Sequence, residues 1–372
     1  MESTNKIRVL HILGSMGQGG AENFLMNLYR NIDKEKIQFD FLVNRPGYFD
    51  DEIKSLGGKI YIIDALQKVG QFKYTKNLDE FFSKNKYKIV HSHLNQVTGL
   101  ILERAKKANI PIRIAHSHNS KSNKNIIIKL YKSYLQNKIF KNATKLLACS
   151  DLAAKWLYKD NSKDAIIINN CIDTNKFKFN NEYRSEIRKK YGIKENTLVL
   201  GHVGRFNEQK NHIYLLEIFH EVYKNNKNIK LILCGDGILK EKIVQKAKDL
   251  NIYEDIIFVG NTKDVYKYYS AMDICIFPSL YEGLPLSLVE AQCSGLKCII
   301  SDTISDDIML TDNIFKKSIN INANEWIGSL EINKKNREIY FNKIKELNYD
   351  YSSIVLKMEK IYINSIIEEN NK

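Results

Sequence analysis

Short apolar runs alternate with longer amphipathic segments along the whole chain. In its first half, the runs predicted to be strands lie at residues 7–13, 39–43, 59–63, 89–92, 113–116, 145–149 and 165–168. Segments of helical length, such as residues 21–31 and 97–108, separate them. Because these strands are apolar throughout rather than at alternate positions, the pattern predicts a parallel sheet covered by helices on both faces.

The same pattern restarts after a polar stretch at residues 175–181. The strands predicted here lie at residues 198–203, 229–234, 256–259, 274–277 and 297–301. Because one core rarely serves more than roughly 250 residues, the chain of 372 residues is predicted to form two α/β domains, residues 1–178 and residues 179–349. A last helix, at about residues 350–372, is expected to pack back on the first domain.

The composition, 44% hydrophobic and 27% charged, is that of a soluble globular protein. No apolar run approaches the ~18 residues of a spanning helix, and charge interrupts the first run, so we expect no signal peptide and a cytoplasmic location. The formal net charge of +14 is compatible with nucleic acid, an anionic membrane or a phosphorylated substrate. Nucleic acid is disfavoured as a partner, because the lysines are scattered over both halves without a recognisable binding module.

The loop after the predicted strand at residues 274–277 contains Glu282, followed by Gly283 and Pro285, and Glu290 lies in the helix that begins there. Free backbone N–H groups at a helix start suit a phosphate or sugar hydroxyls. One carboxylate can accept hydrogen bonds from sugar hydroxyls and the other from a ribose diol. The alternative is that Glu290 only stabilises the helix dipole.

A second loop, after the predicted strand at residues 198–203, contains Gly204, Arg205 and Lys210. The two cations follow a glycine turn and precede a helix, so their charges can converge on a diphosphate and stabilise it as it leaves. The alternative is a solvated pair of cations at a helix start. A third turn, at Gly235 and Gly237, is unspecific by itself.

The first strand is followed by a glycine-rich loop that includes Gly14, Gly17, Gly19 and Gly20. These glycines do not have the spacing of a dinucleotide fingerprint, and no acidic residue clearly ends the second strand, so a nicotinamide site is disfavoured. The glycines still allow the backbone to approach a ligand closely.

Two His-x-His pairs, His91 with His93 and His116 with His118, end predicted strands of the first domain. Alternate strand residues share one face, so each pair could offer two imidazoles to zinc. No cysteine or carboxylate cluster accompanies them and the chain contains no D-x-D, so we expect no metal. Two other interpretations remain. A histidine at the end of a strand could form a hydrogen bond to a sugar, or the histidines could simply be polar residues at which the strands end.

Together these motifs resemble those of the retaining family-4 glycosyltransferases with the GT-B fold, over nearly the whole chain. The matching positions are residues 19–22, Arg205 with Lys210, Gly235 with Gly237, and Glu282 with Glu290. The resemblance implies an α/β fold of two Rossmann-like doubly wound domains that face each other across a cleft. The first domain would bind the acceptor and the second the nucleotide-sugar donor.

By the same resemblance, Arg205 and Lys210 would hold the donor diphosphate, Glu282 the transferred sugar and Glu290 the ribose. Further donor-site residues implied in this way are Gly204, Gly235, Val259, Asn261, Gly283, Leu284 and Leu286. The family's active-site histidine corresponds better to His118 than to His116, although both are candidates. The acceptor-site residues implied are His116, Gly17, Gly19 and Gly20.

The activity implied is retaining transfer of a hexosyl-type sugar to a glycan or lipid-linked oligosaccharide. Residues 113–119 resemble bacterial transferases of capsular or extracellular polysaccharide synthesis. We expect no cofactor, and a UDP-sugar rather than a GDP-sugar as donor. The alternatives are a sugar-nucleotide epimerase of similar architecture and a basic nucleic-acid-binding protein.

A basic amphipathic segment at residues 124–145 predicts peripheral contact with an anionic membrane. The apolar residues expected to share one face of its helix are Ile127, Leu130, Tyr131, Tyr134 and Leu135. The alternative is a helix that packs on the sheet with solvated lysines.

Overall fold

The structure, a computed structural model, describes residues 6–17, 19–118, 126–282, 284–326 and 337–371. The chain forms two units, one of Met1–Cys171 with Tyr351–Lys372 and one of Ile172–Asp350. Each unit has its own parallel sheet, so we describe them one at a time. Within the described residues, no helix is both long enough and apolar enough to cross a bilayer.

Unit 1 contains a parallel sheet of seven strands in the order β3-β2-β1-β4-β5-β6-β7. The strands are β1 Ile7–Ile12, β2 Ile37–Val43, β3 Ile60–Ile62, β4 Ile89–Ser92, β5 Ile112–Ser117, β6 Lys145–Ala148 and β7 Ile166–Ile167. The helices are α1 Gly20–Asn31, α2 Asp50–Ser55, α3 Leu66–Lys84, α4 Thr98–Lys107, α5 Ile126–Asn142 and α6 Asp151–Tyr158. All seven strands predicted for this half of the chain are present.

Both faces of this sheet are covered, which explains the continuously apolar strands. Every residue of Ile37–Val43 is buried. One core takes Ile37, Phe39, Phe41 and Val43, and the core on the other face takes Leu42. A buried leucine or phenylalanine contributes about 1.5–3 kcal/mol, so removing either helical layer would expose the sheet at a large cost.

The last helix of the chain, α14 Tyr351–Asn370, belongs to unit 1. Its residues Ile354, Val355, Met358 and Tyr362 pack in the same core as α1. The apolar spacing of this segment therefore corresponds to a helix that covers one face of the first sheet.

Unit 2 contains a parallel sheet of six strands in the order β10-β9-β8-β11-β12-β13. The strands are β8 Leu198–Val203, β9 Ile229–Cys234, β10 Ile256–Gly260, β11 Ile274–Phe277, β12 Lys297–Ser301 and β13 Ile314–Lys317. The helices are α7 Thr174–Phe177, α8 Asn181–Lys190, α9 His212–Asn225, α10 Lys240–Asp249, α11 Val265–Ala271, α12 Leu286–Cys293 and α13 Glu338–Glu346. The sequence analysis missed β13, a short edge strand with only one fully buried residue.

In each sheet the strand order reverses beside the strand that begins the unit. β1 lies between β2 and β4, and β8 lies between β9 and β11. Connections that leave in opposite directions open a crevice at the carboxyl ends of such strands. The loops that carry the predicted site residues all follow strands at this edge, and the prediction of a doubly wound α/β fold is confirmed.

Candidate functional site

Glycines bring the loops after β8 and β9 into direct backbone contact. The amide of Gly204 donates to the carbonyl of Cys234 at 3.0 Å. Gly235 has φ +140°, and a Cβ atom there would lie 2.0 Å from the Gly204 carbonyl oxygen. At Gly237 a Cβ atom would lie 2.4 Å from the Phe206 carbonyl oxygen. Larger side chains would therefore push the two loops apart.

The turn before α9 sets the position of Lys210. The side chain of Asn207 accepts a hydrogen bond from the Lys210 amide at 3.2 Å. Asn211, the N-cap of α9, has φ +54°, a conformation that asparagine tolerates better than most residues. The turn residues in this motif therefore have a structural task besides any contact with a ligand.

An ion pair joins this turn to the loop after β11. Lys210 Nζ lies 2.8 Å from Glu282 Oε1, with side chains only 13% and 9% exposed. Lys210 Nζ also lies 4.4 Å from the ring centre of Phe277. The amide of Leu280 donates to the Gln209 carbonyl at 2.8 Å, which fixes the two loops beside each other. Two motifs predicted separately from the sequence thus meet.

Arg205 differs from Lys210 in that its side chain is exposed. Among the described residues, no carboxylate pairs with its guanidinium. A guanidinium forms bidentate hydrogen bonds to phosphate oxygens. Arg205 is therefore a cation available to an anionic ligand at the carboxyl edge of this sheet.

Glu290, in α12, is held by a residue that the sequence did not point to. The hydroxyl of Tyr269, in α11, donates to Glu290 Oε2 at 3.0 Å and is also within 2.9 Å of the Ser287 carbonyl oxygen. Desolvation raises the pKa of Glu290 to about 7, although the Tyr269 hydrogen bond and the charge of Lys176 lower it. At neutral pH, this carboxyl group can consequently donate as well as accept a hydrogen bond.

The remaining predicted donor residues that the structure describes lie at the same edge. The β10–β9 register shifts between Phe258 and Gly260, next to Val259, and Asn261 follows as an exposed residue. Leu284 and Leu286 are partly buried against the core of unit 2. Gly283 lies outside the described residues.

The two His-x-His pairs of unit 1 belong to a larger buried cluster that includes His11 at the end of β1. One row, the His11 row, runs from His11 Nδ1 to His93 Nε2 at 3.1 Å and from His93 Nδ1 to His118 Nε2 at 2.8 Å. The second, the Tyr362 row, joins Tyr362 Oη to His91 Nδ1 at 2.8 Å and His91 Nε2 to His116 Nδ1 at 3.2 Å.

Burial lowers the pKa of all five histidines, to about 3 for His11 and about 4 for His118. The cluster is therefore neutral near pH 7. Neutral imidazoles are zinc ligands, and two triads, both containing His93, hold nitrogens within 4.8 Å of one another. Both nitrogens of His93 already take part in hydrogen bonds, so a metal at either triad would replace one of them.

The sequence did not point to His11 because a single histidine at a strand end belongs to no motif. Its place is explained by the pairing of β1 with β4, in which His11 lies opposite His91. The sequence signal that could have identified His11 was its register with His91, since residues in register on neighbouring strands point to the same face of the sheet.

The glycine-rich loop leads directly into α1. Gly19 is the N-cap of this helix and Gly20 its first residue. A Cβ atom at Gly19 would lie 2.3 Å from Glu22 Oε2, so glycine allows Glu22 to fold over the positive end of the helix. Gly17 has open space on its Cβ side apart from the Ser15 hydroxyl at 3.5 Å.

Comparison with known proteins shows the family of this chain. The Glycosyltransferase Family 4 model matches residues 18–176, and the Glycosyl transferases group 1 model matches residues 183–313. Over the full length of both chains, the sequence is 34% identical to EpsF of Bacillus subtilis (strain 168), which is named as a glycosyltransferase. The chain belongs to the family-4 glycosyltransferases.

Two further relatives of this glycosyltransferase are informative. One is the Escherichia coli enzyme named UDP-Gal:alpha-D-GlcNAc-diphosphoundecaprenol alpha-1,3-galactosyltransferase, 24% identical over 99% of this chain and 100% of its own. The other is HepE of Anabaena, solved in complex with UDP, which superposes with a TM-score of 0.78 at 18% identity over 96% of this chain and 100% of that one. The glycosyltransferase has the GT-B fold.

The raised pKa of Glu290 makes a prediction for stability. The folded glycosyltransferase keeps this proton up to about pH 7, whereas the unfolded chain loses it near the ordinary pKa. The contribution of Glu290 to the free energy of unfolding is therefore fully present below the ordinary pKa. It is lost as the pH rises through about 7, because ionising a buried carboxyl group costs free energy only in the folded state. Glu290→Gln should therefore raise the free energy of unfolding by up to about 3 kcal/mol near pH 8 and change it little near pH 4.

Denaturant unfolding of parent and variant at both pH values measures this difference. Glu241→Gln, which changes an exposed carboxylate on α10, is the matched control and should show no such pH dependence. Equal pH profiles for the two variants would contradict the assignment to Glu290.

Proposed function

We propose that this glycosyltransferase moves a hexosyl-type sugar, with retention of configuration, from a UDP-sugar to a glycan or lipid-linked oligosaccharide in capsular or extracellular polysaccharide synthesis. The observation that carries the proposal is the Lys210–Glu282 ion pair together with Arg205, an exposed cation of the same loop as Lys210 that has no carboxylate partner among the described residues. It puts two cations and a carboxylate at the carboxyl edge of one sheet. This combination suits a donor with an anionic diphosphate and a neutral sugar.

In this proposal the cations neutralise the diphosphate as the glycosidic bond breaks. Arg205 offers a planar fork to two phosphate oxygens. Lys210 has three N–H donors, so it can contact a phosphate oxygen and keep its ion pair with Glu282. Glu282, held in place by Lys210, accepts hydrogen bonds from hydroxyls of the transferred sugar. Electrostatic stabilisation aimed at developing charge is usually a large part of catalysis.

The nucleoside part would lie toward Glu290 and the end of β10. Glu290 hydrogen-bonds the ribose diol, and the backbone near Val259 and Asn261 contacts the base. UDP is favoured as the carrier because HepE is solved with UDP and the Escherichia coli relative is named for UDP-Gal. The lipid-linked acceptor is likewise suggested by the name of that relative.

Unit 1 would bind the acceptor, with His118 as the active-site histidine. Its side chain is partly exposed, whereas His116 is fully buried. Being neutral at pH 7, His118 can form hydrogen bonds with hydroxyls without adding charge near the sugar. We propose that the leaving phosphate assists attack of the acceptor hydroxyl on the same face.

Incubation with radiolabelled UDP-glucose, UDP-galactose and UDP-N-acetylglucosamine, together with an undecaprenyl-diphosphate-linked sugar, tests the proposal. Label in the lipid-linked fraction is the expected result. Interconversion of the nucleotide sugars without transfer would instead indicate an epimerase.

Arg205→Ala should lower kcat/KM for the donor about 10²-fold, similar to the loss of one preorganised electrostatic donor. Arg205→Lys should also reduce the rate, because a point charge does not replace a planar fork. Neither variant should change Tm appreciably, since the side chain is exposed. The rate of UDP release measures the effect, and Lys189→Ala, an exposed cation on α8, is the control.

Lys210→Ala needs a separate design because its partner is nearly buried. Removing one member of a buried pair leaves an uncompensated charge that can cost about 3 kcal/mol or more. Comparison with the double variant Lys210→Met, Glu282→Gln separates this stability effect from the loss of turnover. A parent-like rate for Arg205→Ala and for this double variant would place the diphosphate elsewhere.

We predict that transfer does not require a divalent metal, because Arg205 and Lys210 supply the positive charge. Dialysis against EDTA should leave the initial rate within about twofold of the untreated glycosyltransferase. Loss of transfer that one metal ion restores would contradict this and direct attention to the histidine triads.

An exposed apolar face of unit 1 supports membrane contact in part. Leu130 and Tyr134 of α5 are 70% and 48% exposed, and Phe72 of α3 is 86% exposed. The hydroxyl of Tyr131 donates to Gln71 Oε1 at 2.8 Å and joins the two helices. The prediction that Leu135 shares this face is wrong, because Leu135 is 2% exposed and packs in the core.

The charge on this face is also smaller than the sequence suggested. Lys138 forms an ion pair with Glu103 at 2.6 Å. Lys141, and Lys73 and Lys76 of α3, remain exposed. The side chains of Ile127 and Lys129 lie outside the described residues.

Sedimentation with vesicles containing anionic lipid should therefore show salt-sensitive binding that Phe72→Ala with Leu130→Ala weakens about tenfold or more, because exposed apolar side chains and basic residues act together at an interface. Ile238→Ala removes an equally exposed apolar side chain from unit 2 and should bind like the parent. Equal binding to neutral vesicles would contradict an electrostatic contribution.

A further inference from the structure

The Tyr362 row connects the last helix of the chain to the histidine motif at the end of β5. Tyr362 is fully buried, and its hydroxyl contacts His91 Nδ1. His91 in turn contacts His116, whose ring centre is 4.1 Å from that of His118. A tyrosine that belongs to none of the sequence motifs is thus two contacts away from His116 and three from His118, the proposed active-site histidine.

The direction of the hydrogen bonds in this row can be worked out from the groups present. Burial raises the pKa of Tyr362 far above its usual range, so the hydroxyl keeps its proton and needs an acceptor. Among the described residues, the hydrogen-bond partner of this hydroxyl is His91 Nδ1. The row has three protons and two hydrogen bonds, so one proton stays without an acceptor, either on Tyr362 or on His116 Nε2, which has no partner among the described residues. A phenol O–H is a stronger donor than an imidazole N–H, and a bare imidazole nitrogen is a stronger acceptor than a phenol oxygen. Tyr362 therefore donates, and His91 Nδ1 accepts.

A neutral imidazole has one N–H group and one bare nitrogen. Since His91 accepts at Nδ1, its proton is on Nε2 and is donated to His116 Nδ1. His116 in turn must carry its own proton on Nε2. The hydroxyl of Tyr362 thus determines the tautomer of both histidines.

The His11 row has no such fixed end. His11 Nε2 and His118 Nδ1 have no hydrogen-bond partner among the described residues. The protons of its three rings can therefore point in either direction along the row. His118 can therefore carry its proton on either ring nitrogen, while the tautomer of His116 stays the same.

We propose that Tyr362 is a positioning residue, whose hydroxyl fixes the proton of His116 on Nε2 so that His116 packs against His118 in one defined form. His118 is then the histidine that meets the acceptor, and His116 supports it. Only this last step rests on the proposed function, because the tautomer of His116 follows from the contacts in unit 1 alone.

The test is NMR of the full chain with ¹⁵N-labelled histidine, in which the coupling pattern of each ring reports which nitrogen holds the proton. The chain has eight histidines, and single His→Gln variants assign the signals. We expect His116 to carry its proton on Nε2 in the parent. A proton on Nδ1 of His116 would overturn the proposal even if no variant were made.

Tyr362→Phe removes the donor, so the signals of His91 and His116 should shift toward a mixture of tautomers. The matched control is Tyr74→Phe, which removes another buried hydroxyl of unit 1, one without a partner among the described residues, and should leave both tautomers unchanged. Unchanged signals in Tyr362→Phe would overturn the assignment.

For the positioning role, Tyr362→Phe should lower kcat about three- to tenfold with little change in donor KM, the size expected for one neutral hydrogen bond. Parent-like kcat combined with altered tautomers would overturn that role. If the chain transferred no sugar at all, the proposed function would fail while the NMR result still decided the tautomer.

Discussion

The reversal of strand order beside β1 and β8 is the constraint on which both groups of candidate residues depend. Parallel strands end at one edge of a sheet, so side chains just beyond neighbouring strands meet there although they are distant in sequence. β8 and β11 are neighbours, which allows Lys210 to reach Glu282. In unit 1, the adjacency of β1, β4 and β5 gathers the five histidines in the same way.

Burial favours the neutral form of isolated titratable groups in both units, whereas a buried ion pair keeps its charges. Lys210 and Glu282 are nearly buried but compensate each other, whereas desolvation raises the pKa of Glu290 and lowers that of the histidines, including His118. Unit 1 therefore offers neutral hydrogen-bonding groups at its strand ends, and unit 2 offers cations. This difference suits the proposed reaction, in which a neutral hydroxyl attacks and an anionic diphosphate leaves.

The sequence was sufficient for the architecture and for placing each motif at the carboxyl end of a strand. Twelve of the strands follow from continuous apolar runs, but β13 could not be recognised because Ile314–Lys317 is short and half polar. Arg205 and Glu282 were identified because local turn chemistry marks them. Tyr269 and His11 were missed, since their relevance arises from packing against residues far away in the chain, which no local spacing encodes.

The apolar residues of α5 are a second case in which the sequence pattern did not predict burial. Helical periodicity grouped Leu130, Tyr134 and Leu135 on one face of α5. In the fold, however, some apolar residues of such a helix pack in the core while others stay on its outer side. Only tertiary contact distinguishes the buried Leu135 from the exposed Leu130. An amphipathic pattern alone therefore predicts that a helix has an apolar face. It does not predict which apolar residues are exposed to solvent.

Tyr362 illustrates how packing and chemistry become connected in one residue. Phenylalanine at this position in the apolar face of α14 would bury a similar apolar surface area. A buried hydroxyl, however, costs free energy unless it is hydrogen-bonded, and the available partner is His91 at 2.8 Å. Helix α14 therefore has two effects in unit 1. It completes the core, and it determines the hydrogen-bond pattern at the end of β5, where His116 and His118 lie.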